Sequence, residues 1–202
     1  RGGKGVSGMA TKEEDVVTTL FVANTHTQLL FFTTDGMVYK LKTWRLPHGG
    51  RTSKGKAIVN ILPIPVGVSI AAIMPVDRDE KEWDDLQVVF ATSAGTVRRN
   101  KLSDFTNVMR NGKIAMKFDE ENADVTLINA RIASNDDDVM LVTNSGRAIR
   151  FRATDVRVFN SRASIGVRGI KLIGDDKVVS MSIIRHFNAA SEDRTAYLKM
   201  RR

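Results

Sequence analysis

The chain repeats itself, and no other property narrows its fold as much. Leu29-Leu30-Phe31-Phe32-Thr33-Thr34-Asp35-Gly36 shares a template with Val88-Val89-Phe90-Ala91-Thr92-Ser93-Ala94-Gly95 and with Val139-Met140-Leu141-Val142-Thr143-Asn144-Ser145-Gly146. Each has four apolar residues, a Thr three places before the Gly, and a polar turn. The turn glycines recur about every 50 to 60 residues, a period that suits a four-stranded unit repeated along the chain. An apolar run that ends in such a turn and resumes as another strand signals a β-hairpin, because glycine tolerates the positive φ of a tight turn.

The returning hairpin strands are then residues 37–42, 96–101 and 147–152. A third strand is expected after a further glycine in each unit: 57–61 after Gly55, 114–118 after Gly112 and 169–172 after Gly166. Fourth strands are expected over 70–76, 125–132 and 178–184. This divides the chain into repeat units 27–76, 86–133 and 138–187, preceded in residues 1–26 by the second half of an earlier unit whose last strand is 16–24. The tail, 191–202, breaks the pattern. Ser191 followed by Glu192 and Asp193, with Lys199, Arg201 and Arg202 at the far end, has the charge order of a helix capped by Ser191, an insertion or a lead-in to a further unit. The expected architecture is all-β: one propeller-like domain of four-stranded antiparallel blades with a helical C-terminal tail.

Of 202 residues, 31 are Lys or Arg and 23 are Asp or Glu, a formal net charge of +8, which favours a polyanionic partner. The repeats locate this excess. Four and six residues past the turn glycines stand Lys40 and Lys42, Arg99 and Lys101, and Arg150 and Arg152. Strand alternation puts both members of each pair on one face. Successive blades would thus carry a cationic stripe able to track a phosphate backbone, although exposed strands also carry cations merely to protect sheet edges. In the second repeat Arg98 and Asn100 occupy the face that should be apolar, so its register or its burial must differ. A second set of cations surrounds the glycines that open the third strands: Arg1, Lys4, Arg45, Arg51, Lys54, Lys56, Arg110, Lys113, Arg162 and Arg168. Glycine beside a cation admits phosphate closely and leaves backbone N–H groups free to join it; a flexible connection has the same composition. The acids gather in 77–85, 119–124, 136–138 and 175–176, away from the expected stripe.

Catalytic chemistry finds no candidate. The absence of cysteine excludes a disulfide framework and thiolate metal sites. No apolar run approaches the ~20 residues of a membrane span, and no apolar stretch follows the first charges as a signal peptide requires, so a cytoplasmic protein without a membrane partner is expected. Residues 50–57 approach the phosphate-binding loop G-x-x-x-x-G-K-[ST], but Ala57 lacks the required hydroxyl and Ile58-Val59 continue as a strand where a helix is needed. His26, His48 and His186 have no metal-ligand spacing, and no nucleophile elbow accompanies them. Tyr39 belongs to a strand and Tyr197 to the tail helix. Trp44, Trp83 and the scattered Phe residues are too irregular for a base-stacking platform. Asp136-Asp137-Asp138 reads as a solvated loop before it reads as an ion site.

Arg1-Gly2-Gly3-Lys4-Gly5 resembles the end of the box motif, Gln-Arg-Arg-Gly-Gly-Lys-Gly, of the C-terminal domain of the bacterial DNA gyrase A subunit. The resemblance continues through Val22-Ala23-Asn24-Thr25-His26, Gly36-Met37-Val38-Tyr39-Lys40, Ile58-Val59-Asn60-Ile61-Leu62-Pro63, Phe90-Ala91-Thr92 and Gly166-Val167-Arg168-Gly169-Ile170, and covers nearly everything up to Ile184. The C-terminal domain of the topoisomerase IV A subunit shares the blades but typically lacks an intact box. The resemblance implies a β-pinwheel that wraps duplex DNA around a basic rim without reading base sequence, in an ATP-hydrolysing, chromosome-associated topoisomerase that introduces negative supercoils. By position it places Arg1 and Lys4 in the box, and makes the loops around Lys54, Lys113 and Arg168 its degenerate counterparts. It puts the catalytic tyrosine, ATP and Mg²⁺ elsewhere in a holoenzyme of two A and two B subunits, leaving this chain without cofactor. The competing class is a protein-interaction propeller whose basic face meets an acidic partner.

Overall fold

The computed structural model describes residues 16–50, 53–118, 124–162 and 164–201. They form strands β1 (Gln28–Thr33), β2 (Met37–Lys42), β3 (Ile70–Val76), β4 (Gln87–Thr92), β5 (Thr96–Lys101), β6 (Lys113–Ile114), β7 (Leu127–Ala133), β8 (Asp137–Thr143), β9 (Ala148–Arg152), β10 (Val167–Arg168) and β11 (Val178–Arg185). Helix α1 (Ser191–Met200) follows. The hairpins β1–β2, β4–β5 and β8–β9 stand where the template puts them, in equivalent registers: Gln28 faces Lys42, Gln87 faces Lys101 and Asp138 faces Arg152. Their glycines Gly36, Gly95 and Gly146 all turn at φ +80°.

The template threonine closes each turn from inside. Thr33 Oγ1 donates to Met37 O at 3.1 Å, Thr92 Oγ1 accepts from Thr96 N at 3.3 Å, and Thr143 Oγ1 accepts from Arg147 N at 3.2 Å. All three are buried, so the hydroxyl satisfies backbone groups that water does not reach.

The fourth strand of each repeat pairs with its first, giving β3–β1, β7–β4 and β11–β8. The third strand does something the repeat pattern does not foretell. Instead of completing its own unit, β6 of the second repeat pairs with β2 of the first, and β10 of the third repeat pairs with β5 of the second. The sheets are therefore β3-β1-β2-β6, β7-β4-β5-β10 and β11-β8-β9. Each incoming segment is pinned at a hairpin tip. Ala115 N and Met116 N both donate to Gly36 O, at 2.8 and 3.0 Å, and Gly169 N and Ile170 N donate to Gly95 O, at 2.8 and 3.3 Å. A Cβ on Gly36 would collide with the Met116 carbonyl, so glycine there serves close approach as well as the turn.

These third strands correct the expected spans. Only the two residues Lys113–Ile114 and Val167–Arg168 make ladder bonds, so 115–118 and 169–172 lie beyond the strands. Within 57–61, Ile58–Asn60 is a 3₁₀ turn, because no β2-like edge among the described residues receives it. Residues 16–24 are likewise no strand. Val16, Leu20 and Val22 are exposed, and an apolar segment becomes a strand only where a neighbour offers a ladder. The α1 cap is Ala190, without a side-chain bond, and Ser191 is the first helical residue. None of the α1 side chains is buried.

The three sheets pack face to face. Leu30, Phe32 and Val38 of the first meet Val88, Phe90 and Ala130 of the second, with Phe32, Phe90 and Phe105 edge-to-face at 5.4 to 5.8 Å between centroids. Val89, Ala91 and Val97 on the opposite face of the second sheet meet Val139, Leu141 and Met181 of the third. A sheet covered on both faces needs apolar residues at consecutive positions, which explains the unbroken run Val88–Ala91. It also buries Arg98, Arg99 and Asn100 on β5. The register of this hairpin matches the others, so burial alone sets the second repeat apart.

Candidate nucleic-acid interface

Folding draws the first stripe position inward in the first two repeats, while in the third it stays exposed beside a carboxylate. Lys40 Nζ pairs with Glu80 Oε1 at 2.8 Å and donates to the Thr106 carbonyl. The Arg99 guanidinium donates to Ala153 O at 2.8 Å, Val156 O at 3.3 Å, and the side chains of Gln87 and Asn135. Arg150 Nε lies 3.5 Å from Asp138 Oδ2. Asp138 is itself buried, with His186 Nδ1 2.9 Å from its other oxygen. Six residues past the glycine, Lys101 pairs with Asp84 at 3.1 Å. Lys42 and Arg152 are exposed and make no ion pair with a described residue.

Two expectations are corrected by this geometry. Arg99 presents no charge to solvent, because stacked sheets cover both faces of β5. The acids are not remote from the stripe either: Glu80 and Asp84, from the segment between repeats one and two, and Asp138 supply its counter-ions. The rest of the acidic run 136–138 is also used locally, with Asp137 Oδ2 accepting from Ser134 N and Oγ at 2.7 and 2.8 Å. Among the described residues no group of three metal-ligating side chains forms. Tyr39 Oη donates to Pro63 O at 3.3 Å, and burial pushes its phenol pKa up, the opposite of an activated nucleophile.

The glycine-loop cations face outward more consistently. Arg45, in the turn after β2, holds its guanidinium 5.2 Å over the Trp44 ring. Lys54 and Lys56 stand on an exposed segment, and Arg110 stands exposed on the loop leading into β6. The fold brings Arg45, Lys56 and Arg110 together with Lys40 around one open groove floored by Tyr39, Leu41 and Leu62. Three separate segments meet there because β6 lies along the outer edge of β2 and carries its preceding loop with it.

Lys113 and Arg162 extend the row toward the second sheet. Lys113 Nζ donates to Asp104 O at 2.8 Å, and Arg162 Nη1 donates to Ile114 O at 3.1 Å. Burial, then the nearby Arg162 and Lys40 charges, hold the Lys113 ammonium pKa below the ordinary lysine value against the opposing pull of Asp104. Crowded like charges of this kind create a positive potential that an approaching phosphate relieves. Arg168, on β10, is exposed. Lys117 and Lys171 escape the first glycine count, yet each stands five residues past the opening glycine of its third strand, and both are exposed beside a hairpin tip. The same count, extended to that distance, finds them. Arg1, Lys4 and Arg51, and Gly2, Gly3 and Gly5 of the box, lie outside the described residues. No described helix is long and apolar enough to cross a membrane.

The family described as "DNA gyrase C-terminal domain, beta-propeller" matches residues 1–24, 27–77, 87–132 and 137–185. The DNA gyrase A protein of Granulibacter bethesdensis is 46% identical over 201 residues, covering 98% of this chain and 21% of that protein. Its Rickettsia bellii counterpart is 44% identical over 200 residues, covering 99% and 22%. The chain thus spans about a fifth of the length of the curated relatives it matches. Among solved structures, the C-terminal domain of DNA topoisomerase IV has a TM-score of 0.69 at 24% identity, over 80% of this chain and 48% of that one. The DNA gyrase A C-terminal domain has a TM-score of 0.61 at 24% identity, over 79% and 48%. At that identity both likenesses speak for the fold alone, a β-pinwheel of antiparallel sheets.

Proposed function

The chain belongs to the family of DNA gyrase C-terminal domains, and from that premise we propose that it binds duplex DNA through phosphate contacts and bends it along the outer edges of its sheets. The carrying observation is the row formed by Arg45, Lys56, Arg110, Lys113 and Arg162, cations from successive repeats brought side by side by strand exchange. Such a row suits a backbone with regularly spaced charge and offers no helix or ribbon to enter a major groove, so base sequence goes unread. Bending 20–30 base pairs by 40–90° costs of the order of 1–6 kcal/mol, and phosphate contacts distributed along the arc offset it.

In this reading Arg1 and Lys4 of the box, Arg51 in the neighbouring glycine loop, and Lys42, Lys54, Arg152 and Arg168 add phosphate contacts. The chain wraps DNA for negative supercoiling while cleavage and ATP hydrolysis, with its Mg²⁺, take place in other parts of an assembly of two A and two B subunits. It contributes no catalytic group and no cofactor.

A duplex-length titration tests the proposal. Affinity should climb as the duplex lengthens to span successive repeats, and a relaxed circle should trap a linking difference that shrinks when Arg1 and Lys4 are replaced. Equal affinity for short and long duplex, or tight binding of an acidic polypeptide in place of DNA, would overturn it.

A further inference from the structure

Arg98 lies where two consecutive strand exchanges meet. Its side chain is fully buried on β5, and its donors reach three separate segments. Nε donates to Asn100 Oδ1 at 2.7 Å, and Nη1 donates to Arg162 O at 2.7 Å and Ser164 O at 2.8 Å. Nη2 donates to Ala115 O. Ala115 directly follows β6, the strand given to the first sheet, and Arg162 and Ser164 lead into β10, the strand received by the second. Asn100 completes the junction, its Nδ2 donating to Phe159 O at 2.8 Å and Asp104 Oδ2 at 3.1 Å.

Nothing in the hairpin itself calls for arginine there. The corresponding positions, three residues past the turn glycine, are Tyr39 and Ile149, and those hairpins keep the same register. Among the described residues no carboxylate bonds to the Arg98 guanidinium directly. Burial lowers its pKa to about 10, opposed by Asp104 and reinforced by Arg162, and at neutral pH it remains charged. A buried cation without a bonded counter-ion is costly and persists where every donor is satisfied. Here the acceptors are main-chain carbonyls of the two exchanged segments, and those segments carry Lys113, Arg162 and Arg168.

We propose that Arg98 is a positioning residue for DNA wrapping: it braces two consecutive exchanged strands against each other and thereby fixes how the cations of one blade are set relative to those of the next. The proposal rests on the DNA-wrapping reading above. A bent duplex must meet successive cation groups at a fixed spacing, whereas a short duplex engages one group at a time. Loss of the brace therefore uncouples wrapping from local binding.

The test uses the full-length protein with Arg98→Met, Arg98→Lys and, as a control that thins the core on the other face of the same sheet while leaving the junction intact, Val89→Ala. In Arg98→Met the amides of Ala115, Met116, Gly169 and Ile170 should exchange roughly ten-fold faster relative to those of β1 and β2. Affinity for a duplex of about 20 base pairs should hold while the linking difference trapped in a relaxed circle falls. Arg98→Lys keeps the charge but lacks the planar fork that serves several carbonyls, so it should be intermediate in both readouts, and it carries the test should the methionine variant not fold. Val89→Ala should lower the melting temperature and still wrap. Unchanged exchange at the four amides, or wrapping that follows melting temperature equally in all three variants, would overturn the proposal. If the unmodified protein traps no linking difference, the wrapping reading itself fails, and the exchange measurement still decides whether Arg98 is the brace.

Discussion

Salt dependence of DNA binding should separate outward cations from inward ones. Each neutralised phosphate steepens the fall of log affinity with log salt by about 0.9. Arg45, Lys54, Lys56 and Arg110 are exposed and make no ion pair with a described residue. One phosphate on each would give a slope contribution of about −3.6, so a four-fold rise in salt should weaken this part of binding about 150-fold. Replacing Lys56 and Arg110 together by glutamine should flatten the slope by about 1.8. Arg99→Met is the informative contrast, since the Arg99 guanidinium is engaged with Ala153 O, Val156 O and two side-chain amides. Its slope should match the parent, while unpaired buried carbonyls lower stability by about 1–3 kcal/mol. Fluorescence anisotropy of a labelled duplex across a salt series, with urea melts of each variant, measures both. A slope loss in Arg99→Met equal to that of a single groove lysine, or an unaltered slope in the double variant, would refute the division of cations drawn from the fold.

Other perturbations reach the frame that holds these cations. Phe90→Ala removes the ring shared by Phe32 and Phe105 and should cost about 3–5 kcal/mol in a chemical melt. Gly166→Ala should destabilise by more than about 1 kcal/mol, because Gly166 sits at φ +96° against the Val97 carbonyl at the start of β10; native-state exchange should show β10 loosening first. Asp176 is held at a pKa of about 2, below the ordinary 3.8, chiefly by its hydrogen bond from Ser145. A carboxyl lowered on folding stabilises above its unfolded pKa and loses that contribution as pH falls through the folded one, so the Ser145 amide should lose protection between about pH 4 and pH 2, and Asp176→Asn should abolish that acid limb. Lys113 is depressed in the free protein, and a bound phosphate favours its charged form. DNA affinity should therefore begin to fall at a lower alkaline pH than an ordinary lysine allows, and Lys113→Arg should move that limb upward.

Local chemistry made part of the fold legible. Gly36, Gly95 and Gly146, each with a Thr three residues earlier, specify turns whose requirements are met within about ten residues of chain, and β2, β3 and β5 begin and end where the pattern says. The third strands were misplaced for a physical reason. Two-residue ladders such as Lys113–Ile114 have no periodicity to read, and what makes them strands is a hairpin tip in a different repeat. The same limit applies to 16–24, whose apolar residues have no neighbouring edge among the described residues, and to Ser191, whose side chain makes no cap.

The candidate interface divides along the same line. By itself the sequence determined that cations recur at fixed distances from glycines, since spacing is a property of the chain. Only the tertiary structure decided which of them face solvent: Lys40 is drawn onto Glu80, and Arg98 and Arg99 disappear between sheets. Arg45, Lys56 and Arg110, distant along the chain, share one groove. Whether a charge is exposed depends on what packs over its strand, and here that cover comes from other repeats through stacked faces and exchanged edges, which no residue's own neighbours in sequence encode.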